Sequence, residues 1–395
     1  MVGNGPQGWT LARPVSGMLS LRYEIDYAPL AAGGWPAPRE AAFADAGHLI
    51  AVGRSIFVTT PVQRASEVHF ALPRDWQAVV PWPMGTGATP GATVASPHDL
   101  TENLVAFVRE APEALTAGDF NLHVVALGHR VPVEADVRRV LGTALQELVA
   151  LVGFEGHADY LVILLPQIER GGESFRASFA LNLDAAPARG NLGDWGHTIA
   201  HEVFHYWNGW RLVGADYASS QWFQEGFTEY AASLALVSGG LVGPEEFWGK
   251  LASQVARYRQ LTTPLDAPGT RKGPPLYAGG ALVAFVWDTM IREATDGERC
   301  VPDVLRALMP DTATGTRSYD WPDIQAALES VAPGAWAEFH RRHIHGTEPL
   351  PLAEAFARVG LSMAEDGAGP PRVMPDPAAS EAARRCLDAI LAGCR

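Results

Sequence analysis

Along the first third of the chain, apolar positions recur at every second residue in short runs broken by turn residues, the spacing that predicts β-strands. Residues 19–27, 49–59, 67–72, 78–82 and 120–127 read this way and together predict an antiparallel β domain over 18–129. Residues 83–97, rich in Gly, Thr and Pro, sustain neither period and read as a loop within it. Over 134–151 the period changes, and Val137, Val140, Leu141, Ala144, Leu145 and Leu148 fall on one helical face. Two strand-like runs follow at 160–165 and 178–183. Beyond Asn191 the spacing predicts helices over 198–210, 220–237, 244–261, 279–294, 322–331, 335–343 and 352–359, the second opened by Ser219 or Ser220 as N-cap. Residues 362–376 read as irregular, with a last amphipathic helix at 378–391. The expected class is a multidomain α+β protein: a tail at 1–17, a β domain at 18–129, an α/β unit at 130–243, a helical part at 244–361 and a tail at 362–395.

A length of 395 residues suits two or three cores, and 47% apolar residues with 12 Trp exclude a disordered chain. No apolar run approaches the roughly 20 residues of a spanning helix. A net charge of -14 without a basic stripe opposes binding to nucleic acid. No continuous apolar stretch near the N-terminus suggests a secretory leader, so a cytoplasmic location is expected unless a leader is missing. The pattern specifies no oligomeric state. Cys300, Cys386 and Cys394 lack paired Cys-x-x-Cys spacing and are expected to be free thiols. Cys386 and Cys394, eight residues or about 12 Å apart along a helix, are not expected to bridge.

The informative chemistry is the string His201-Glu202-Val203-Phe204-His205. Residues four apart on a helix share one face, so both imidazoles can grip a single zinc ion. Glu202, one position round from His201, lies beside such an ion and is placed to take a proton from its water as a general base. After nineteen intervening residues, enough for a helix to end and another to return, comes Glu225 among Trp222, Phe223, Phe227 and Tyr230. A solvated helix carboxylate is the ordinary reading of such a residue, but an unpaired charge among these aromatics is costly and a cation partner resolves the conflict, so Glu225 is the candidate third ligand. Glu229, one turn later, can accept the second N–H of a ligand histidine or serve as an ordinary surface group. A His197/His201 pair is geometrically possible but has no glutamate in the right place. His340, His343 and His345 read as surface groups or helix-dipole partners.

The strings from His201 to Asn208 and from Trp222 to Tyr230 resemble the gluzincin zinc metallopeptidases, and among them the glycyl aminopeptidase family. Tyr277-Ala278-Gly279-Gly280 leading to Asp288 and Arg292, and Gly346-Thr347-Glu348-Pro349 with Gly360, extend the likeness. The resemblance implies a thermolysin-like catalytic domain behind an N-terminal β-sandwich, with 244–361 completing the active-site cleft. It implies one zinc per chain on His201, His205 and Glu225, Glu202 as base, and Tyr277 as the hydrogen-bond donor to the oxyanion. Peptides or proteins become the expected substrates.

Two departures stand out. Where the family commonly carries Gly-Gly-Leu-Glu-His, this chain reads Gly171-Gly172-Glu173-Ser174-Phe175, so the usual acidic position is Ser174. Glu173 can replace it only by a one-residue shift that points it to the opposite face. The family's C-terminal PDZ-like domain is not expected in the 35 residues after Gly360. An aminopeptidase, an endopeptidase with the same chemistry, and a catalytically silent zincin used as a binding module all remain open on these residues.

Overall fold

A strand covered on both faces has no reason to alternate, and Ala158–Leu165 does not: every residue but Asp159 is buried. The computed structural model describes residues 2–3, 8–28, 42–60, 62–85, 91–127, 131–165, 171–182, 192–268, 273–310, 315–365 and 369–394. The expected loop over 83–97 and strand over 178–183 lie partly outside these residues.

The strands are β1 (Phe43–Ala44), β2 (His48–Val52), β3 (Ser66–His69), β4 (Gln77–Val79), β5 (Gly91–Val94), β6 (Leu104–Val108), β7 (Glu113–Ala117), β8 (Phe120–Ala126), β9 (Ala158–Leu165), β10 (Gly171–Phe175) and β11 (Ser178–Asn182). They stack in layers. A β3–β5 ladder covers one face of a four-stranded antiparallel sheet, β1-β2-β6-β4, through Val68, Phe70, Trp82, Val94 and Val105. The other face, with Ile50, Val52, Leu104 and Ala106, packs on Val125, Leu161, Ile163 and Ala180 of a five-stranded mixed sheet, β10-β11-β9-β8-β7. The far face of that sheet, including Leu122, Tyr160, Val162 and Phe179, meets the helices.

Several strand expectations change, 49–59 among them, which is strand only through Val52 before a 3-10 turn at Gly53–Ser55. Residues 120–127, grouped by pattern with the N-terminal antiparallel strands, form β8 and run parallel to β9 in the mixed sheet. The long helix α1 (Val131–Val152) is the crossover that a parallel pair requires. Residues 19–27 alternate as a strand should but join no ladder, and Leu19 (56%) and Tyr23 (47%) are exposed. The Tyr23 hydroxyl, donating to the Ile56 carbonyl at 2.8 Å, is one of the contacts that hold this stretch.

Asp159 at the start of β9 ties the parallel pair together. Its carboxylate lies 3.1 Å from His123 Nε2 and 3.0 Å from His157 Nε2, and Asn121 Nδ2 donates to it at 3.3 Å. Burial raises its pKa, but the bonds from His123, His157 and Asn121 outweigh that and bring it to about 2.

The helices α2 (Leu192–Phe204), α3 (Tyr217–Ser238), α4 (Pro244–Tyr258) and α5 (Pro274–Ala294) build the face that carries the His-Glu-Val-Phe-His segment and Glu225. α2 stops at Phe204, short of the expected 210, because the chain turns there to return Asn208 toward His205. α3 is opened by Asp216, not by Ser219 or Ser220: the Asp216 carboxylate accepts the Ser219 N–H at 2.9 Å. α3 and α5 cross at two glycines. A Cβ on Gly280 would lie 1.9 Å from the Trp222 carbonyl oxygen, and one on Gly226 would lie 2.3 Å from Gly280 Cα. Fully buried Asp288 on α5 accepts from the Tyr230 hydroxyl of α3 at 2.8 Å, from Arg292 Nε at 3.1 Å and from the Val301 N–H at 2.9 Å.

Beyond α5 come α6 (Val301–Leu308) and α7 (Trp321–Val331). The expected irregular tail instead contains an antiparallel hairpin, Leu361–Ala364 with Arg372–Pro375, before the helix Glu381–Leu391. Pro375 can sit there because it ends a strand. The expectation of three free thiols also fails. Cys300 and Cys394 form a disulfide across 94 residues, with Cα atoms 6.2 Å apart, while Cys386 stays free. No helix among the described residues is long and apolar enough to cross a membrane.

Because Asp159 has a lower pKa folded than unfolded, its contribution is present above pH 4 and is lost as pH falls toward 2. Asp159→Asn should remove about 2 kcal/mol at pH 7 and flatten the acid limb of stability, read by urea unfolding across pH. An unchanged acid limb contradicts this. Gly280→Ala should cost at least about 3 kcal/mol, since the clash is with backbone and neither helix can yield cheaply; a urea midpoint within error of wild type contradicts the close crossing.

Candidate active site

The last turn of α2 delivers His201, and His205 follows directly after the helix end, its N–H still bonded to the His201 carbonyl at 3.2 Å, while the third turn of α3 delivers Glu225 opposite them. All three are buried, at 7%, 5% and 2% exposure. His201 Nε2 lies 3.0 Å from His205 Nε2, and Glu225 Oε2 lies 3.4 Å from the first and 3.5 Å from the second. Donors about 2.0–2.1 Å from zinc at the corners of a tetrahedron are separated by about 3.3–3.4 Å, so these atoms describe three corners of such a site.

The outward nitrogens support the same reading. His205 Nδ1 is 3.0 Å from the Asn208 carbonyl, which can only accept, so the hydrogen belongs on Nδ1 and the Nε2 lone pair is free for a cation. Asn208, fully buried, is itself held by its amide nitrogen donating to the Phe223 and Gln224 carbonyls at 3.2 and 2.9 Å. His201 Nδ1 faces Glu229 Oε1 at 3.4 Å. Two imidazole lone pairs and a carboxylate oxygen converging in a dry interior form a donor set that zinc satisfies.

The electrostatics agree. Burial lowers the His201 pKa, but Glu225 and Glu229 outweigh it and raise it to about 10. Burial raises that of Glu225, yet His205 and His201 hold it well below the usual carboxylate range. Glu229 is likewise held far down, by His197, His201 and Lys250 against its burial. The shifts are mutual: the carboxylates of Glu225 and Glu229 favour positive charge at His201, and the histidines and Lys250 favour the ionised carboxylates.

Glu202 is half-buried beside His201, and its backbone carbonyl accepts from the Tyr160 hydroxyl at 3.2 Å. The Tyr277 ring stacks on that of His201, with centroids 6.2 Å apart and planes at 21°. Tyr277 lies in the first turn of α5, which begins at Pro274, five residues before the expected start. The alternative His197/His201 metal pair does not form. His197 Nε2 turns to the Glu229 carbonyl (3.1 Å) and Ser233 Oγ (3.2 Å), and burial lowers its pKa to about 4.

Among the described residues, one other group of donors lies close enough for a metal, Cys300, Asp303 and Cys394, and there the sulfurs are joined to each other. His340 and His345 approach Asp266 at 3.5 and 3.0 Å, while His343 is buried, not a surface group, with Nδ1 3.1 Å from the Glu348 carbonyl. The brace from Asn208 to His205 was not anticipated from the sequence. Its only signal was an Asn three residues past the motif.

The edge strand β10 carries the altered segment. Ser174 pairs with Phe179 and shares the face that meets the helices, whereas Glu173 pairs with Ala180 on the face toward the N-terminal sheet.

Residues 195–265 match the M61 glycyl aminopeptidase family model. No curated protein matches the sequence. Among solved structures, the chain is similar to an aminopeptidase N family protein from Idiomarina loihiensis, at 19% identity and a TM-score of 0.64 over 82% of this chain. It spans 63% of that protein's length. It is also similar to an M1 zinc metallopeptidase from Deinococcus radiodurans, at 18% identity and TM-score 0.53, covering 79% of this chain and 73% of that one. A variant of a two-domain M1 zinc metallopeptidase bound to L-tryptophan matches at 18% identity and TM-score 0.52, covering 80% and 74%. The likeness to gluzincin aminopeptidases is therefore carried twice, by the family model across the segment that holds His201, His205 and Glu225 and by a fold shared with the M1 metallopeptidases.

Proposed function

We propose that the chain is a zinc-dependent peptidase acting by general-base hydrolysis, with an N-terminal β-sandwich and a thermolysin-like catalytic unit, and that it removes residues from peptide N-termini. The observation that carries the hydrolase reading is the convergence of His201 Nε2, His205 Nε2 and Glu225 Oε2 within 3.5 Å of one another. The aminopeptidase reading rests on the family match over 195–265.

In this reading His201, His205 and Glu225 hold one zinc ion, which supplies Lewis acidity, acidifying water and polarising the substrate carbonyl. Glu202 takes a proton from the attacking water at its carboxylate and later gives it to the leaving amine. The Tyr277 phenol donates a hydrogen bond to the developing oxyanion. Glu229 and the Asn208 carbonyl fix the two imidazole rings by their Nδ1 atoms.

A second reading, cleavage within a peptide, is favoured by the register of β10. An aminopeptidase needs an anion facing the substrate ammonium, and the residue of this segment on the helix side of the sheet is Ser174, not Glu173. A silent zincin has the least support, since His201, His205 and Glu225 converge and Glu202 is present beside them.

Glu202→Gln should retain zinc and fold but lose about 10³-fold or more in kcat/KM on a mixed peptide library; near wild-type turnover removes Glu202 from the mechanism. Acetylating the library's N-termini should abolish cleavage by wild type, and undiminished, chelator-sensitive cleavage selects the internal reading instead. Tyr277→Phe should lower kcat about 10²-fold with little change in KM, and an unchanged kcat excludes it as oxyanion donor.

A further inference from the structure

Behind His201 lies a buried polar cluster that the hydrolytic steps do not use. Glu229, on α3 one turn after Glu225, divides its two carboxylate oxygens between two neighbourhoods. Oε1 faces His201 Nδ1 at 3.4 Å. Oε2 faces Lys250 Nζ at 3.6 Å, Gln254 Nε2 at 3.4 Å and His197 Nε2 at 3.7 Å. His197 is already engaged with the Glu229 carbonyl and Ser233 Oγ. Lys250 and Gln254 sit four residues apart on α4, so one face of that helix presents both donors to one oxygen.

We infer that Lys250 and Gln254 clamp Glu229 against His201 and thereby set the affinity of the site for its metal from α4, a helix that supplies no ligand. The inference rests on the zinc reading above. A carboxylate behind a ligand imidazole orients the ring and raises its basicity, and loss of such a partner typically costs 10–100-fold in metal affinity. Glu229 can do this only while its carboxylate plane is held. With Oε2 anchored by a cation and an amide, rotation away from His201 breaks both contacts. Gln254 is buried at 2% exposure and Lys250 keeps 27% of its side chain exposed, so the ammonium reaches inward from the rim while its stem covers α4. Glu229 and Lys250 are thus positioning residues acting through His201.

The test is zinc affinity of the full chain, measured by competition with a chromophoric chelator at fixed pH and salt. Glu229→Gln, close in shape, should weaken zinc binding about 10–100-fold, and Lys250→Met at least about threefold, with Lys250→Arg restoring most of the loss. The decisive arm is the double variant: if Lys250 acts through Glu229, Lys250→Met should have no further effect in the Glu229→Gln background. Additive losses, or a Lys250→Met chain with wild-type zinc affinity, overturn the clamp. Urea midpoints of the metal-free variants separate a general loss of stability, because a structural role lowers the midpoint without changing the zinc constant of the folded fraction. A wild-type chain that binds no zinc fails the reading beneath, and is distinguishable from wild-type binding that the variants leave unaltered.

Discussion

Two carboxylates one helical turn apart on α3, Glu225 buried and Glu229 largely so, are the constraint to which the rest of the site answers. Glu225 and Glu229 project toward α2 from a helix whose other faces are closed by Trp222, Phe223, Phe227 and Tyr230. Negative charge in such an interior is expensive unless it is paired and hydrogen-bonded. His201 answers that charge directly, and Glu225 and Glu229 hold its pKa well above the ordinary imidazole value against its burial. The donor atoms that meet there, two imidazole nitrogens and a carboxylate oxygen, match the size and preferences of zinc.

The scaffold serves that convergence at several levels. The mixed sheet, buried between the N-terminal sheet and the helices, gives α2 a rigid floor through Tyr160, Val162 and Phe179. The turn after Phe204 sends Asn208 back to brace His205 and to grip α3 through the carbonyls of Phe223 and Gln224. Gly226 and Gly280 let α3 and α5 approach backbone to backbone, which brings Tyr277 alongside His201. The Cys300–Cys394 bridge fastens the C-terminal segment beside α6.

The site was more legible in the sequence than the fold. His201, Glu202 and His205 announce themselves because helical spacing alone places them, and Glu225 because its aromatic neighbours make an unpaired charge untenable. Glu229 could be named but not assigned, since its role depends on how α3 packs against α2. Lys250, Gln254 and Asn208 carried no usable signal: each acts through a contact made by tertiary packing. The strand assignments erred for a related reason. Residues 120–127 have a strand's pattern, but which sheet they join is decided by the crossover helix α1 and not by their own period. Residues 19–27 have the alternation and find no ladder. The disulfide joins cysteines 94 residues apart, a separation at which spacing says nothing.

The most direct test of the central claim is X-ray absorption at the zinc edge on the chain stripped by chelator, reloaded and dialysed, together with its metal content. The account predicts one zinc per chain with only nitrogen and oxygen neighbours, two of them imidazole, at about 2.0–2.2 Å. A chain that retains no zinc, or a metal shell containing sulfur at about 2.3 Å, would contradict it.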